Sequence, residues 1–248
     1  MFDQVSNAPA DSVYIVIPTY NEAANLARLA REALAQDQRL RIVVVDDASP
    51  DGTGEIAERL ARETARVVVV HRPAKLGLGT AYIAGFKRAN ELGAEFIGTM
   101  DADGSHDPRS LPTFIGVGAR ADVVVGSRYM RGVSVINWPM QRILLSWFAN
   151  RYVRWLTGLP LSDCTSGYRL YRRQVLESIG LDSIKSRGYA FLVEIAFRAY
   201  RQKWRLAEVP IVFYERRQGR SKMSRGVILE AMVMPWRLAL QRLRAPAR

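Results

Sequence analysis

The 248-residue chain has one cysteine and two histidines. A lone Cys164 excludes an internal disulfide framework and a CxxC metal site, and is expected to be a half-buried free thiol suited to a reducing cytoplasm. His71 and His106 stand apart, with no Cys or His partner at zinc spacing, which argues against a zinc centre. Neither Cys164, Ser105 nor Ser166 falls in a recognisable triad or nucleophile elbow. No stretch reaches about 18 uninterrupted apolar residues, and Met1 to Asp11 lacks the basic start and apolar run of a secretory signal, so no transmembrane span is expected.

Acidic residues are scarce in the second half. Residues 126–248 carry 23 Lys and Arg against 7 Asp and Glu, net +16, whereas residues 1–125 carry 13 against 17, net −4. An acidic half suits a metal; a basic half suits anions. Nucleic acid, anionic lipid and diphosphate substrates all satisfy such a surface, so charge alone does not choose among them.

What is present is a rhythm. Short β-branched runs at Val13–Ile17, Ile42–Val45, Val67–Val70, Phe96–Met100 and Val123–Val125 alternate with helical patterns such as Leu26–Leu34 and Ile56–Ala61. The alternation predicts an α/β fold with a mostly parallel sheet covered by helices, whose ligand chemistry gathers at the carboxyl ends of the strands. Chemistry-bearing residues stand there. Asp101-Ala-Asp103 follows one strand, and two carboxylates one residue apart suit a hard cation such as Mg²⁺ or Mn²⁺, although a solvated acidic turn reads the same way. Asp46 and Asp47 follow another strand; adjacent carboxylates repel, so at least one is expected in a polar site. Asp51 has the alternative reading of a turn or cap residue.

Lys75-Leu-Gly77-Leu-Gly79-Thr80 is a glycine-rich turn before a helix, but Tyr82 stands where a dinucleotide fingerprint needs its last glycine, and no GxxxxGK[ST] occurs. Arg128 ends the fifth strand, and Arg216, Arg217, Arg220 and Lys222 follow the strand-like Val209–Phe213; these are candidates to meet a diphosphate.

Two segments mix large apolar residues with arginine. From Met140 to Thr157, Arg142, Ser146, Asn150 and Arg154 fall four apart among Ile143, Leu144, Trp147, Phe148, Tyr152, Val153 and Trp155. Gly226 to Leu243 repeats the mixture, with Pro235 expected to kink or divide it. Both suit a membrane interface, or equally a helix packed on the core.

In order, Pro18-Thr-Tyr-Asn-Glu22, Asp46-Asp-Ala-Ser-Pro-Asp-Gly-Thr53, Leu76-Gly-Leu-Gly-Thr-Ala-Tyr82, Asp101-Ala-Asp-Gly-Ser-His106, Gly126-Ser-Arg-Tyr129, Thr165-Ser-Gly-Tyr-Arg169 and Gly219-Arg-Ser-Lys222 resemble the polyprenol-phosphate (dolichol-phosphate) mannose synthases of glycosyltransferase family 2. The resemblance implies a GT-A, Rossmann-like fold over residues 1–224, with an interfacial segment around 133–158 and a basic, membrane-docking C-terminal helix over 225–248. It implies inverting transfer of mannose from GDP-mannose to polyprenyl phosphate, with Mg²⁺ or Mn²⁺ as cofactor. Carried over by position, Pro18, Tyr20, Glu22, Val45 and Asp47 would line the guanosine pocket, Asp101, Ala102 and Asp103 would hold metal and donor phosphates, and Arg128, Arg216 and Lys222 would grip donor and acceptor phosphates. Some relatives carry Gln, a metal ligand there, where this chain has Ser105. The implied setting is the cytoplasmic side, peripheral to the inner face of the cell membrane, with room for a membrane partner protein and no nucleic acid. A glucosyltransferase using UDP-glucose is the alternative within enzymes, and a basic nucleic-acid-binding module the alternative outside them.

Overall fold

The computed structural model describes residues 11–184, 186, 188–215 and 225–244. Along the chain run β1 (Val13–Thr19), α1 (Leu26–Leu34), β2 (Leu40–Asp46), α2 (Thr53–Glu63), β3 (Val67–His71), α3 (Leu78–Glu91), β4 (Phe96–Thr99), α4 (Leu111–Gly118), β5 (Val123–Ser127), β6 (Val135–Ile136), α5 (Met140–Thr157), β7 (Arg169–Arg172), α6 (Arg173–Ser178), α7 (Gly188–Arg201), β8 (Leu206–Pro210), β9 (Phe213–Tyr214) and α8 (Arg225–Arg244). Seven strands form one sheet in the order β3-β2-β1-β4-β7-β5-β8, while β6 and β9 pair separately in parallel. All neighbours in the large sheet are parallel except β7, which runs antiparallel to both β4 and β5.

Strand periodicity divides the interior into two cores. In β1, Tyr14 and Val16 face one core while Val13, Ile15 and Ile17 face the other, as alternation on a pleated strand requires. The first core lies under α3, α5, α7 and α8; the second under α1, α2 and α4. Helix α1 shows why these sequences fold this way: Leu26, Leu29, Ala30, Ala33 and Leu34 are buried, the spacing of one helical stripe. Helix α3 sits hard on the sheet at Gly85, where an added Cβ would lie 2.2 Å from Val16 Cγ1.

The five expected parallel strands are present. The strand expected at Val209–Phe213 is instead two: β8 ends at Pro210 and β9 begins at Phe213. Strand β7 has no counterpart in the sequence reading. Its Arg169 is 1% exposed, with Nε donating to Ser166 O at 2.8 Å and Nη1 and Nη2 to Leu192 O and Cys164 O, each at 2.6 Å. Three carbonyls replace the water that this charge loses. Cys164 is fully buried, not half-buried, and burial pushes its thiol up to about 12.

Helix α8 continues through Pro235 as one element, so the expected division does not occur. In α5 the polar residues spaced four apart divide: Arg142 and Arg154 are exposed and Ser146 is half-buried, while the apolar Val153 and Leu156 are buried. Asn150 is buried, donating to Ser146 O at 3.0 Å and accepting from Cys164 N–H at 2.8 Å. Leu145, Phe148 and Trp155 are 68%, 60% and 75% exposed. On α8, Met234 and Leu238 enter the first core, whereas Met232, Val233, Trp236 and Leu240 are exposed. The two helices join through Tyr152 Oη, which donates to Met232 O at 2.6 Å, and through Trp155 and Trp236, edge to face at 6.5 Å. Among the described residues no helix is long and apolar enough to cross a membrane.

Candidate active site

The chain turns from β1 to β2 and β3 on one side and to β4 on the other, so order reverses beside β1; in open α/β sheets this is where ligands bind. The loops after β1, β2 and β4 meet at that carboxyl edge. Asp51 fastens the first two together: its Oδ2 accepts from Ala23 N–H at 3.1 Å and its Oδ1 from Thr53 N–H at 3.1 Å. Thr53 Oγ1 accepts from Glu22 N–H at 2.9 Å, and Ser49 Oγ from Asn21 N–H at 3.1 Å. Asp51 is thus a joint between loops. Asn21 and Ala48 both take positive φ, 60° and 53°, within the zipped segments.

The adjacent aspartates separate by role. Asp46 accepts from Thr19 Oγ1 at 2.9 Å and from Ser49 Oγ at 2.6 Å and N–H at 3.1 Å, which holds the turn. Asp47 lies 2.9 Å from Arg72 Nη1 in a buried ion pair. Burial pushes the Asp47 carboxyl above the ordinary carboxylate value, outweighing the opposing pull of Arg72. Arg72 Nη2 donates to Thr80 Oγ1 at 2.8 Å, so one guanidinium joins Asp47 to the start of α3. Lys75 Nζ stands 4.3 Å from the centre of the Tyr20 ring, a cation–π contact beside the same edge.

After β4, Asp101 is partly exposed and Asp103 is buried. Ser105 N–H donates to Asp103 Oδ1 at 3.0 Å, and Tyr82 Oη to Asp101 Oδ1 at 3.3 Å. Asp101 N–H donates to His106 Nδ1 at 3.0 Å, so the proton of the neutral ring resides on Nε2, which is 4.0 Å from Asp101 Oδ2. Burial pushes the His106 imidazole below its ordinary value, against the raising influence of Asp101 and Asp103. A Cβ on Gly167 would come within 3.6 Å of both Asp101 carboxylate oxygens, so the segment around Tyr168 backs directly onto this turn.

Beyond it, Arg128 forms a buried two-pronged pair with Asp163, Nε to Oδ2 at 2.6 Å and Nη2 to Oδ1 at 2.7 Å, and Nη2 also reaches Thr165 Oγ1 at 2.8 Å. Its guanidinium carbon is 5.4–5.6 Å from the ring centres of Tyr129, Trp138 and Phe213. Ser105 O accepts from Tyr214 N–H at 3.2 Å, which ties β9 to the Asp101 turn.

The structure therefore brings Pro18, Tyr20, Glu22 and Asp47 to one edge with Asp101, Ala102 and Asp103. Pro18 and Val45 are register partners on β1 and β2, but the Val45 side chain is buried in the first core. Arg216 and Lys222 lie outside the described residues. Sequence reasoning did not single out Arg72 or Asp163, placed Asn150 only in the polar spacing of α5, and gave Tyr82 and His106 no role of their own; for these two, their place inside the motifs ending at Tyr82 and His106 was the available signal. An open cleft of about 450 Å³ between α2 and the ends of β2 and β3 shares Asp46 with this edge and none of the Asp101–His106 turn.

Among the described residues, no group of three or more His, Cys, Asp and Glu gathers as a self-contained metal cage. Asp101 and Asp103 supply two hard oxygen donors, fitting a cation that completes its shell with substrate oxygens. The buried Ser105 Oγ and His106 Nε2 beside them have no hydrogen-bond partner, polar groups consistent with a site built for a charged occupant.

The model of the family described as glycosyl transferase family 2 matches residues 14–180. An undecaprenyl-phosphate mannosyltransferase of Micrococcus luteus is 48% identical over 225 residues, covering 89% of this chain and 91% of that one. A polyprenol monophosphomannose synthase of Mycolicibacterium smegmatis is 45% identical over 232 residues, covering 93% and 88%. Among solved structures, glucosyl-3-phosphoglycerate synthase from Mycobacterium tuberculosis in complex with Mn²⁺, UDP and phosphoglyceric acid superposes with a TM-score of 0.64 at 17% identity, covering 91% of this chain and 78% of that one. Its complex with Mg²⁺ and UDP gives 0.65 at 19% identity, covering 92% and 80%. These two likenesses show the fold.

Proposed function

The chain belongs to glycosyltransferase family 2, and we propose that within it this protein is an inverting polyprenyl-phosphate mannosyltransferase that takes mannose from GDP-mannose. The observation that carries the reading is identity of 48% and 45%, over about nine-tenths of the chain, to two enzymes named for mannosyl transfer to polyprenyl lipids. A nucleic-acid-binding module leaves that identity, and the carboxylates at the sheet edge, without a purpose.

In this reading the Pro18–Glu22 and Asp46–Thr53 loops, zipped together by Asp51, hold the nucleoside, with Asp47 kept in place by Arg72. Asp101 and Asp103 would hold Mg²⁺ or Mn²⁺, which when bound neutralises diphosphate charge. The acceptor phosphate is anionic at neutral pH, so one of its oxygens attacks the anomeric carbon without a general base. The new C1–O bond forms as the bond from C1 to the diphosphate breaks; GDP departs with that electron pair, and attack from the opposite face inverts the centre. Arg216 and Lys222 grip the phosphates, and charge stabilisation with in-line positioning provides the rate enhancement.

The acceptor's tail implies a lipid surface. The outward-facing apolar residues of α5 and α8 support docking of this face on the inner leaflet of the cell membrane, alone or with a membrane partner protein. Donor identity is tested by offering radiolabelled GDP-mannose and UDP-glucose in parallel with a short polyprenyl phosphate in detergent. Mannolipid alone is expected; glucolipid alone would overturn the donor assignment.

A further inference from the structure

We propose that His106 is a positioning residue for Asp101, clamping its backbone through Nδ1 and steering its carboxylate through Nε2–H. The inference rests on Asp101 and Asp103 being the metal ligands, and goes beyond that reading to how one ligand is aimed.

Four observations converge on this side chain. Its ring is 1% exposed, yet Nε2 has no hydrogen-bond partner. A buried donor left unsatisfied forfeits the hydrogen bond it had to water, so such groups in native proteins call for a reason. Nδ1 accepts from Asp101 N–H, and that acceptance places the proton on Nε2. Nε2 then lies 4.0 Å from Asp101 Oδ2, so a carboxylate shift of about 1 Å makes a charge-assisted hydrogen bond. The ring cannot swing to another partner: it stacks on Tyr168 at 4.8 Å and meets Phe213 edge-on at 5.5 Å.

With Tyr82 Oη on Asp101 Oδ1 and His106 Nε2–H facing Oδ2, both oxygens of one ligand are approached from behind by buried donors. Donors of this kind orient a ligating carboxylate and limit its rotamers before the cation arrives. A residue needed only for packing would supply the stacking and no nitrogen.

Three substitutions separate these roles. His106→Phe keeps a ring to stack and loses both nitrogens; His106→Asn keeps an acceptor near Nδ1 and loses the outer donor; His106→Gln places an amide near Nε2. The readout is Mn²⁺ binding by electron paramagnetic resonance, with GDP present and without it, together with the thermal midpoint. Wild type and Asp101→Asn are measured first, and loss of Mn²⁺ binding in Asp101→Asn establishes the ligand reading by itself. Given that, His106→Phe and His106→Asn are expected to bind Mn²⁺ roughly 10–100-fold more weakly, and His106→Gln to recover much of the loss. Folded His106→Phe with affinity within about threefold of wild type would overturn the inference, as would equal affinities for the Asn and Gln variants should the Phe variant fail to fold.

Discussion

Removing Asp163 should destabilise the protein far more than its single charge suggests. Its carboxylate is fully buried and accepts two hydrogen bonds from the Arg128 guanidinium, at 2.6 and 2.7 Å, and a third from Arg128 N–H at 3.1 Å. The Arg128 side chain is only 8% exposed, so Asp163→Ala takes the two-pronged carboxylate away from a cation that water barely reaches. Breaking such a pair from one side costs about 3–5 kcal/mol. With a urea m-value of about 3 kcal/mol/M, a loss of about 4 kcal/mol moves the unfolding midpoint down by roughly 1.3 M. Pairing Asp163→Leu with Arg128→Met should restore most of it, because both members of the buried ion pair are then replaced by apolar side chains. Burial alone would raise the Asp163 carboxyl, but the charge and hydrogen bonds of Arg128 outweigh it and hold the group below the usual carboxylate value. A group lowered in the folded state contributes fully above its unfolded value, about 3.9, and loses that contribution as pH falls through the folded one. The stability gap between wild type and Asp163→Ala should therefore stay level from pH 8 to about pH 5 and close only in stronger acid. A midpoint shift under about 0.3 M at pH 7, or a gap that closes near pH 6, would refute the reasoning.

Replacing Leu145, Phe148 and Trp236 together with Ser should abolish sedimentation with anionic vesicles while changing stability little, since all three are exposed; unchanged vesicle binding would contradict the docking face. Gly85→Ala, whose Cβ would press on Val16 Cγ1 at 2.2 Å, should cost about 1–3 kcal/mol by chemical denaturation, and a neutral result would show that α3 lifts freely from the sheet. Cys164, buried with its thiol pushed up to about 12, should resist a thiol reagent at pH 8 until the protein unfolds; rapid native-state labelling would contradict its burial.

Strands β1, β2 and β5 were legible because their β-branched runs are buried on both faces, and the strand-end motifs were legible because they interrupt such runs. Strand β7 was not, since its four residues begin and end with arginine, and only the fold supplies the carbonyls that let Arg169 stay buried. The spacing of α5 did not show which of its polar residues turn inward: Arg142 and Arg154 are exposed, whereas Asn150 is buried with its carbonyl oxygen accepting from Cys164 N–H, a contact between residues 14 apart in sequence. Arg72 and Asp163 were invisible for a related reason, each being one charged residue whose meaning depends on a partner brought by another strand end. In the candidate site, carboxylates on motif turns could be read locally, whereas the residues that hold them could not.

The central claim is most directly tested by following radiolabelled mannose from GDP-mannose into a short polyprenyl phosphate, using wild type and Asp103→Ala, with EDTA and with Mn²⁺ restored. The expected result is mannolipid from wild type that vanishes with EDTA and returns with Mn²⁺, and a loss of roughly 10²–10³ in rate for a folded Asp103→Ala protein. Undiminished transfer in EDTA, or near-normal turnover by Asp103→Ala, would contradict it.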